Sequence, residues 1–85
     1  MPKSEFHYDI EQRFDTISSH EASTGTVYSK EVNLVSYNDG DSVYDIRNWT
    51  HNNDGTLRMG KGITLNEEEM KKLRDILNDM DELND

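Results

Sequence analysis

The stretch Tyr44-Asp45-Ile46-Arg47-Asn48-Trp49, followed twelve residues on by Lys61-Gly62-Ile63-Thr64-Leu65-Asn66, decides how this chain folds. In the first segment Tyr44 and Ile46 alternate with Asp45, Arg47 and Trp49. Alternation at period two marks a strand whose two faces have different jobs. The Tyr44 and Ile46 face is expected to enter a core. The other is expected to show a cation and a large aromatic to solvent, the pair of groups that holds a nucleic-acid backbone and stacks its bases. The second segment reads as a strand ending at a helix start, with Lys61 held between Gly60 and Gly62.

The alternation continues outward. Phe6, Tyr8, Ile10 and Phe14 fall on even positions with His7, Asp9, Glu11 and Arg13 between them, so a long first strand spans roughly residues 5–17. Gln12 interrupts its apolar face and Ile17 falls out of phase, which asks for a bulge near Asp15-Thr16 or for the strand to end there. Residues 18–26 are small and polar and read as a loop, with Val27-Tyr28 able to begin the next strand early. The second strand covers about 29–37, with Val32 and Leu34 on one face and Asn33, Val35 and Tyr37 on the other. Asn38-Asp39-Gly40-Asp41 is a hairpin turn, because Asp-Gly tolerates the positive φ of a tight turn. A third strand runs about 42–50, His51-Asn52-Asn53-Asp54-Gly55 turns, and a fourth strand spans about 56–65. Gly60 and Gly62 permit a bulge or a close backbone approach within it.

Asn66 is placed to cap a helix. Glu67, Glu68 and Glu69 then fill its first turn at the positive end, and Glu69 closes a capping box. Met70, Leu73, Ile76, Leu77, Met80 and Leu83 form one helical stripe, wide enough to cover a sheet face and touch a second copy. The expected fold is α+β: four antiparallel strands and one C-terminal amphipathic helix, ββββα, in a single domain over residues 1–85 with frayed ends at 1–4 and 84–85.

Hydrophobic content of only 32% leaves a chain of this length a thin core, which dimerisation through helix and sheet would enlarge. Without cysteine there is no disulfide framework, thiolate metal site or thiol nucleophile, a usage that fits a reducing cytoplasm. Met1-Pro2-Lys3-Ser4-Glu5 lacks the apolar run of a signal peptide, and no stretch approaches the ~20 apolar residues of a membrane span. The net charge of −9 opposes long-range attraction to phosphate. Its distribution is uneven. Residues 66–85 hold eight acids against Lys71, Lys72 and Arg74, whereas residues 42–65 hold Arg47, Arg58 and Lys61 against Asp45 and Asp54. With a Debye length of about 8 Å in physiological salt, one face can behave differently from the total.

Single-stranded DNA requires cations for its phosphates and flat side chains to replace lost base stacking, worth ~1–3 kcal/mol per base. Arg47 and Trp49 share a strand face, Tyr37 ends the preceding strand, Arg58 and Lys61 lie on the following one, and Asn33 shares the face of Tyr37. Lys30 has the opposite parity and joins that face only near a frayed or bulged strand end. Each residue also has a plainer reading. Trp49 is a core or edge anchor, Arg47 pairs with Asp45 or a partner-chain carboxylate, and Asp45 orients Arg47 or the turn. The helical stripe is core or dimer seam.

Tyr-Asp-Ile-Arg, a polar loop containing Asp-Gly, then Gly-Lys-Gly-Ile-Thr-Leu-Asn and an amphipathic helix resemble the positive-cofactor-four family of transcriptional coactivators, in particular its small bacterial members. The resemblance covers roughly Lys30 to Leu83. It implies a homodimer that binds single-stranded DNA on a curved sheet with little sequence preference, and the function expected of this chain is such binding in transcription regulation or in DNA replication, repair or uptake. Carried over by position, Arg47, Lys61 and the aromatic near Arg47 match DNA-contacting residues, and Tyr37 sits close to a stacking aromatic. The chain departs from eukaryotic members in three places. Asn38, Asp39 and Asp41 stand where lysines surround the first turn. Gly60 stands where a basic residue precedes the lysine. Trp49 lies one position nearer the arginine. The candidate DNA-binding set is Lys30, Asn33, Tyr37, Asn38, Arg47, Trp49, Arg58 and Lys61.

Other chemistries lack their patterns. His7, His20 and His51 have no zinc-ligand spacing, the turn aspartates lack the distal Glu of a calcium loop, and Gly60-Lys61-Gly62 is too short for a phosphate loop. No enzyme, cofactor or metal is expected. The rival to DNA binding is an acidic protein-interaction module that binds a basic partner or mimics DNA, motivated by the charge of −9.

Overall fold

The computed structural model describes residues 6–83. The frayed ends expected at 1–4 and 84–85 lie outside the described residues. Strands β1 (Tyr8–Glu21), β2 (Val27–Tyr37), β3 (Ser42–His51) and β4 (Leu57–Leu65) form one antiparallel sheet in chain order. Helix α1 (Glu67–Asp79) follows, then a short 3-10 turn at Asp81–Leu83. This is the expected ββββα fold.

Helix α1 starts where local chemistry places it. The Asn66 side chain accepts from the Glu69 amide at 2.8 Å, and the Asn66 amide donates to Glu69 Oε1 at 2.9 Å. This is the capping box read from the sequence, with three glutamates in the first turn.

Strand β1 departs from expectation. It runs on through Ser18, Ser19 and His20, residues read as loop, which pair with Lys30, Ser29 and Tyr28. The start of β2 needs partners for its backbone groups, and small polar residues suit an exposed edge strand as well as a loop. Three register shifts, at Ile10/Gln12, Arg13/Asp15 and Thr16/Ser18, reset the alternation and hide the strand from a period-two reading. The β2–β3 hairpin also differs in detail. Its positive φ angles belong to Asn38 (51°) and Asp39 (64°), the two central residues, and not to Gly40, whose amide closes the turn on the Tyr37 carbonyl at 2.8 Å. The turns at Ala22–Thr26 and Asn52–Thr56 share one design, each with its glycine at a φ of 91°. Asn53 Nδ2 donates to the Thr24 carbonyl at 2.8 Å and joins the two.

The sheet has two unlike faces. Ser29, Glu31, Asn33, Val35 and Tyr37 of β2 share one with their cross-strand partners Trp49, Arg47 and Asp45 of β3. The rings of Tyr8 and Trp49 meet there at 5.5 Å, although their β2 partners, Tyr37 and Ser29, stand eight residues apart. Eight residues of flat strand measure about 26 Å, so the sheet curls toward this inner face. The curl buries what was expected to face solvent: Asp45 is 0% exposed and Trp49 1%. The sequence-based assignment of faces is therefore reversed. Val35 and Trp49 are the fully buried apolar residues among those described, beside buried Asn33 and Asp45. Tyr44, Ile46, Ile63 and Leu65 share the outer face, and Tyr44 lines a groove with Met70, Leu73 and Leu77 of α1. Ile63, Ile76, Leu77, Met80 and Leu83 stay exposed.

Candidate nucleic-acid interface

The inner face is built around two buried carboxylates, each paired with cationic or hydroxyl donors. Asp45 and Arg47, two apart on β3, point the same way. Arg47 Nε and Nη2 each donate to the Asp45 carboxylate at 2.7 Å. Arg47 Nη1 reaches the Gly60 carbonyl at 3.0 Å, and the Tyr37 hydroxyl donates to the same buried carboxylate. The Asp45 contact holds the guanidinium more firmly protonated than usual, against its partial burial. Burial, with the bond to Asp45, pushes the Tyr37 hydroxyl well above the ordinary phenol range. The Arg47 guanidinium lies 5.8 Å from the centre of the Tyr37 ring, and the Phe6 ring lies 5.8 Å away from it. Of the two readings of Arg47, its geometry matches the pair with Asp45.

A second buried carboxylate ties three strands together. Glu31 accepts from the Ser29 hydroxyl, meets His51 Nε2 at 2.8 Å and accepts from Arg13 Nη1 at 3.3 Å. Burial opposes its charge, yet the contacts from Ser29, His51 and Asn33 outweigh that cost and bring its pKa below the usual 4.5. Asn33 Nδ2 favours that charge, yet neither it nor buried Trp49 Nε1 completes a hydrogen bond among the described residues.

Close packing explains the glycines around Lys61. A Cβ at Gly62 would fall 1.9 Å from Arg47 Cβ and 2.5 Å from Arg47 Cα, so only a bare backbone fits against β3. At Gly60 it would meet the Asn48 carbonyl oxygen at 2.8 Å. Gly60 and Lys61 fall where the β3–β4 register shifts, opposite Asn48.

The outer face, beyond the reach of α1, is different. One cross-strand row there reads His20, Tyr28, Thr50, Arg58. The next reads Ser18, Lys30, Asn48 and the bulge that holds Lys61. No acidic residue occupies either row. Lys30, Arg58 and Lys61 are exposed and, among the described residues, form no ion pair. A groove of about 460 Å³ lies over these rows, lined by Ser18, His20, Tyr28, Lys30, Asn48 and Thr50 among others.

The family model of transcriptional coactivator p15 (PC4) matches residues 28–76, more than half of the chain. The chain belongs to this family. It is also 37% identical over 76 residues to an uncharacterized protein of Treponema pallidum (strain Nichols), covering 89% of this chain and 81% of that one.

In this PC4-family chain the eight candidate residues do not form one surface. Asn33, Tyr37, Arg47 and Trp49 lie on the inner face. Lys30 and Arg58 lie on the outer face, and Lys61 sits at the bulge beside them. Asn38 is in the β2–β3 turn, where its Oδ1 accepts from the His7 amide at 2.9 Å. Arg58 does not share the face of Trp49, because its partner Thr50 is the neighbour of Trp49 on β3 and points away from it. Sequence reasoning passed over Tyr28, His20 and Asn48. The parity of Tyr28 with Lys30 was the available signal, and it became meaningful only with the rows paired.

Proposed function

We propose that this protein binds single-stranded DNA as a homodimer, with little base preference and no catalytic step. The carrying observation is the outer face: Lys30, Arg58 and Lys61 stand in adjacent, acid-free rows of an otherwise acidic protein. Membership of the PC4 family supports the choice of ligand. Repulsion from the acidic helix is screened beyond a Debye length of about 8 Å, so a local cationic strip can still engage phosphates. Among the inner residues, Arg47 is committed to Asp45 in a pair with no net charge, so the cationic strip rests on Lys30, Arg58 and Lys61.

The uncovered stripe of α1 supports the dimer. Ile76 and Leu77 are exposed on the helix and Met80 at its C-cap, and a groove of about 420 Å³ runs between Tyr44 and Met70, Leu73 and Leu77. A second copy seated there would add the apolar area that the thin core lacks. Action on single-stranded DNA places the protein in the cytoplasm, at the nucleoid in a bacterial cell, where transcription or replication proteins are its natural further partners.

The test is titration of a labelled oligothymidylate at two salt concentrations, with a duplex of equal length and light scattering alongside. Tight single-strand binding that weakens with salt, by a dimer, is expected. Equal affinity for the duplex, or no binding with capture of a basic protein partner, would favour the acidic interaction module instead.

A further inference from the structure

Seven aromatic side chains are present, and six are already engaged with another ring. Phe6 meets Tyr8 and Tyr37, Tyr8 meets Trp49, and Phe14 stacks on Tyr44. Trp49 is 1% exposed and offers no face to a base. Tyr37 lies between the Arg47 guanidinium and Phe6. Tyr28 is the remaining one. It is 50% exposed, it pairs with no other described Phe, Tyr or Trp ring, and it lines the outer groove.

Its surroundings suit a nucleotide. Lys30 is two residues along the same strand, about 7 Å away, and Arg58 is two strands across in the same row, about 10 Å away. Its cross-strand neighbours, His20 and Thr50, are a polar ring and a small hydroxyl residue that leave no apolar side chain to cover it in that row. We propose that Tyr28 is the platform on which a base of the bound strand stacks, while Lys30 and Arg58 take the flanking phosphates. This deepens the single-stranded-DNA reading above and rests on it. The stacking role that the sequence suggested for Trp49 passes to a residue on the opposite face. Thr50 and Asn48 beside it supply a hydroxyl and an amide, which suits contact with any base better than selection of one.

The experiment combines oligothymidylate titrations of the wild type, Tyr28→Ala and Tyr28→Phe with photo-crosslinking of the wild type to an iododeoxyuridine-substituted oligonucleotide, the site located by mass spectrometry. Tyr28→Ala is expected to bind about 5- to 100-fold more weakly with an unchanged salt slope, and Tyr28→Phe within about twofold of the wild type, since stacking needs the ring and not the hydroxyl. The crosslink is expected at Tyr28. A crosslink at Phe6, Tyr37 or Trp49, or wild-type affinity in Tyr28→Ala, overturns this assignment while the single-stranded-DNA reading stands. No oligothymidylate binding by the wild type at low salt brings down that reading itself. The crosslink uses the unmodified chain, so the result does not depend on whether Tyr28→Ala folds.

Discussion

The two faces of the sheet use cations in opposite ways. On the inner face Arg47 gives its donors to Asp45 and Gly60, and Arg13 and His51 converge on Glu31. On the outer face Lys30, Arg58 and Lys61 meet no acid in their rows. Residue type does not separate the two sets. Neighbours do: Arg47 folds back on Asp45 two residues away and Arg13 reaches Glu31 across the strands, whereas Arg58 opposite Thr50 and Lys30 opposite Asn48 have no acid in their rows. The inner set builds the domain, and the outer set is the one proposed above to meet DNA.

The sharpest way to break this contrast is Trp49→Ala. If the inner face is structural, the variant loses about 3–5 kcal/mol of stability by chemical denaturation, as for other buried aromatics. A stable variant with weakened DNA binding would return Trp49 to the ligand. Asp45→Ala is expected to cost about 3 kcal/mol, because it strands a largely buried guanidinium and removes the acceptor of Tyr37. Urea unfolding of this variant beside Arg47→Met would show whether the pair or the lone charge matters more.

Acid titration sharpens the same point at Glu31. Its pKa is lowered on folding, so its ionised contacts contribute stability above about pH 4.5, and that contribution is lost as pH falls through the lower native value. Thermal melts of the wild type should fall through this acid window, and Glu31→Gln should give a flatter profile there from a lower plateau. The smallest effect on stability belongs to the outer face. Lys30→Gln, Arg58→Gln and Lys61→Gln should each change it by no more than about 0.5 kcal/mol. Each should nevertheless lower the salt slope of oligothymidylate binding by about 0.7. A stability loss as large as that of Asp45→Ala would erase the distinction between the faces.

Much of the fold was readable because its signals are local. Asn66 and Glu69 announce their capping box within four residues, and the third and fourth strands lie close to where alternation and turn residues put them. The site was less readable because parity is not local. Four register shifts, three in β1–β2 and one in β3–β4, reset which residues share a face. The curl of the sheet then decided which face closes, so Trp49 went inside and Tyr28 stayed out. The glycines beside Lys61 gave a true signal for a close approach, but its cause is the packing of Gly62 on Arg47.

The shifts in β1 have a further consequence. The sheet is open, with β1 and β4 as its edges, and β1 is fourteen residues long. A flat edge of that length would present a row of unpaired amides and carbonyls to any other extended chain, the template from which fibrils grow. Bulges bend such an edge and interrupt its spacing, so an incoming strand finds register for only a few residues at a time. The irregularity that conceals this strand in the sequence is also its guard against aggregation.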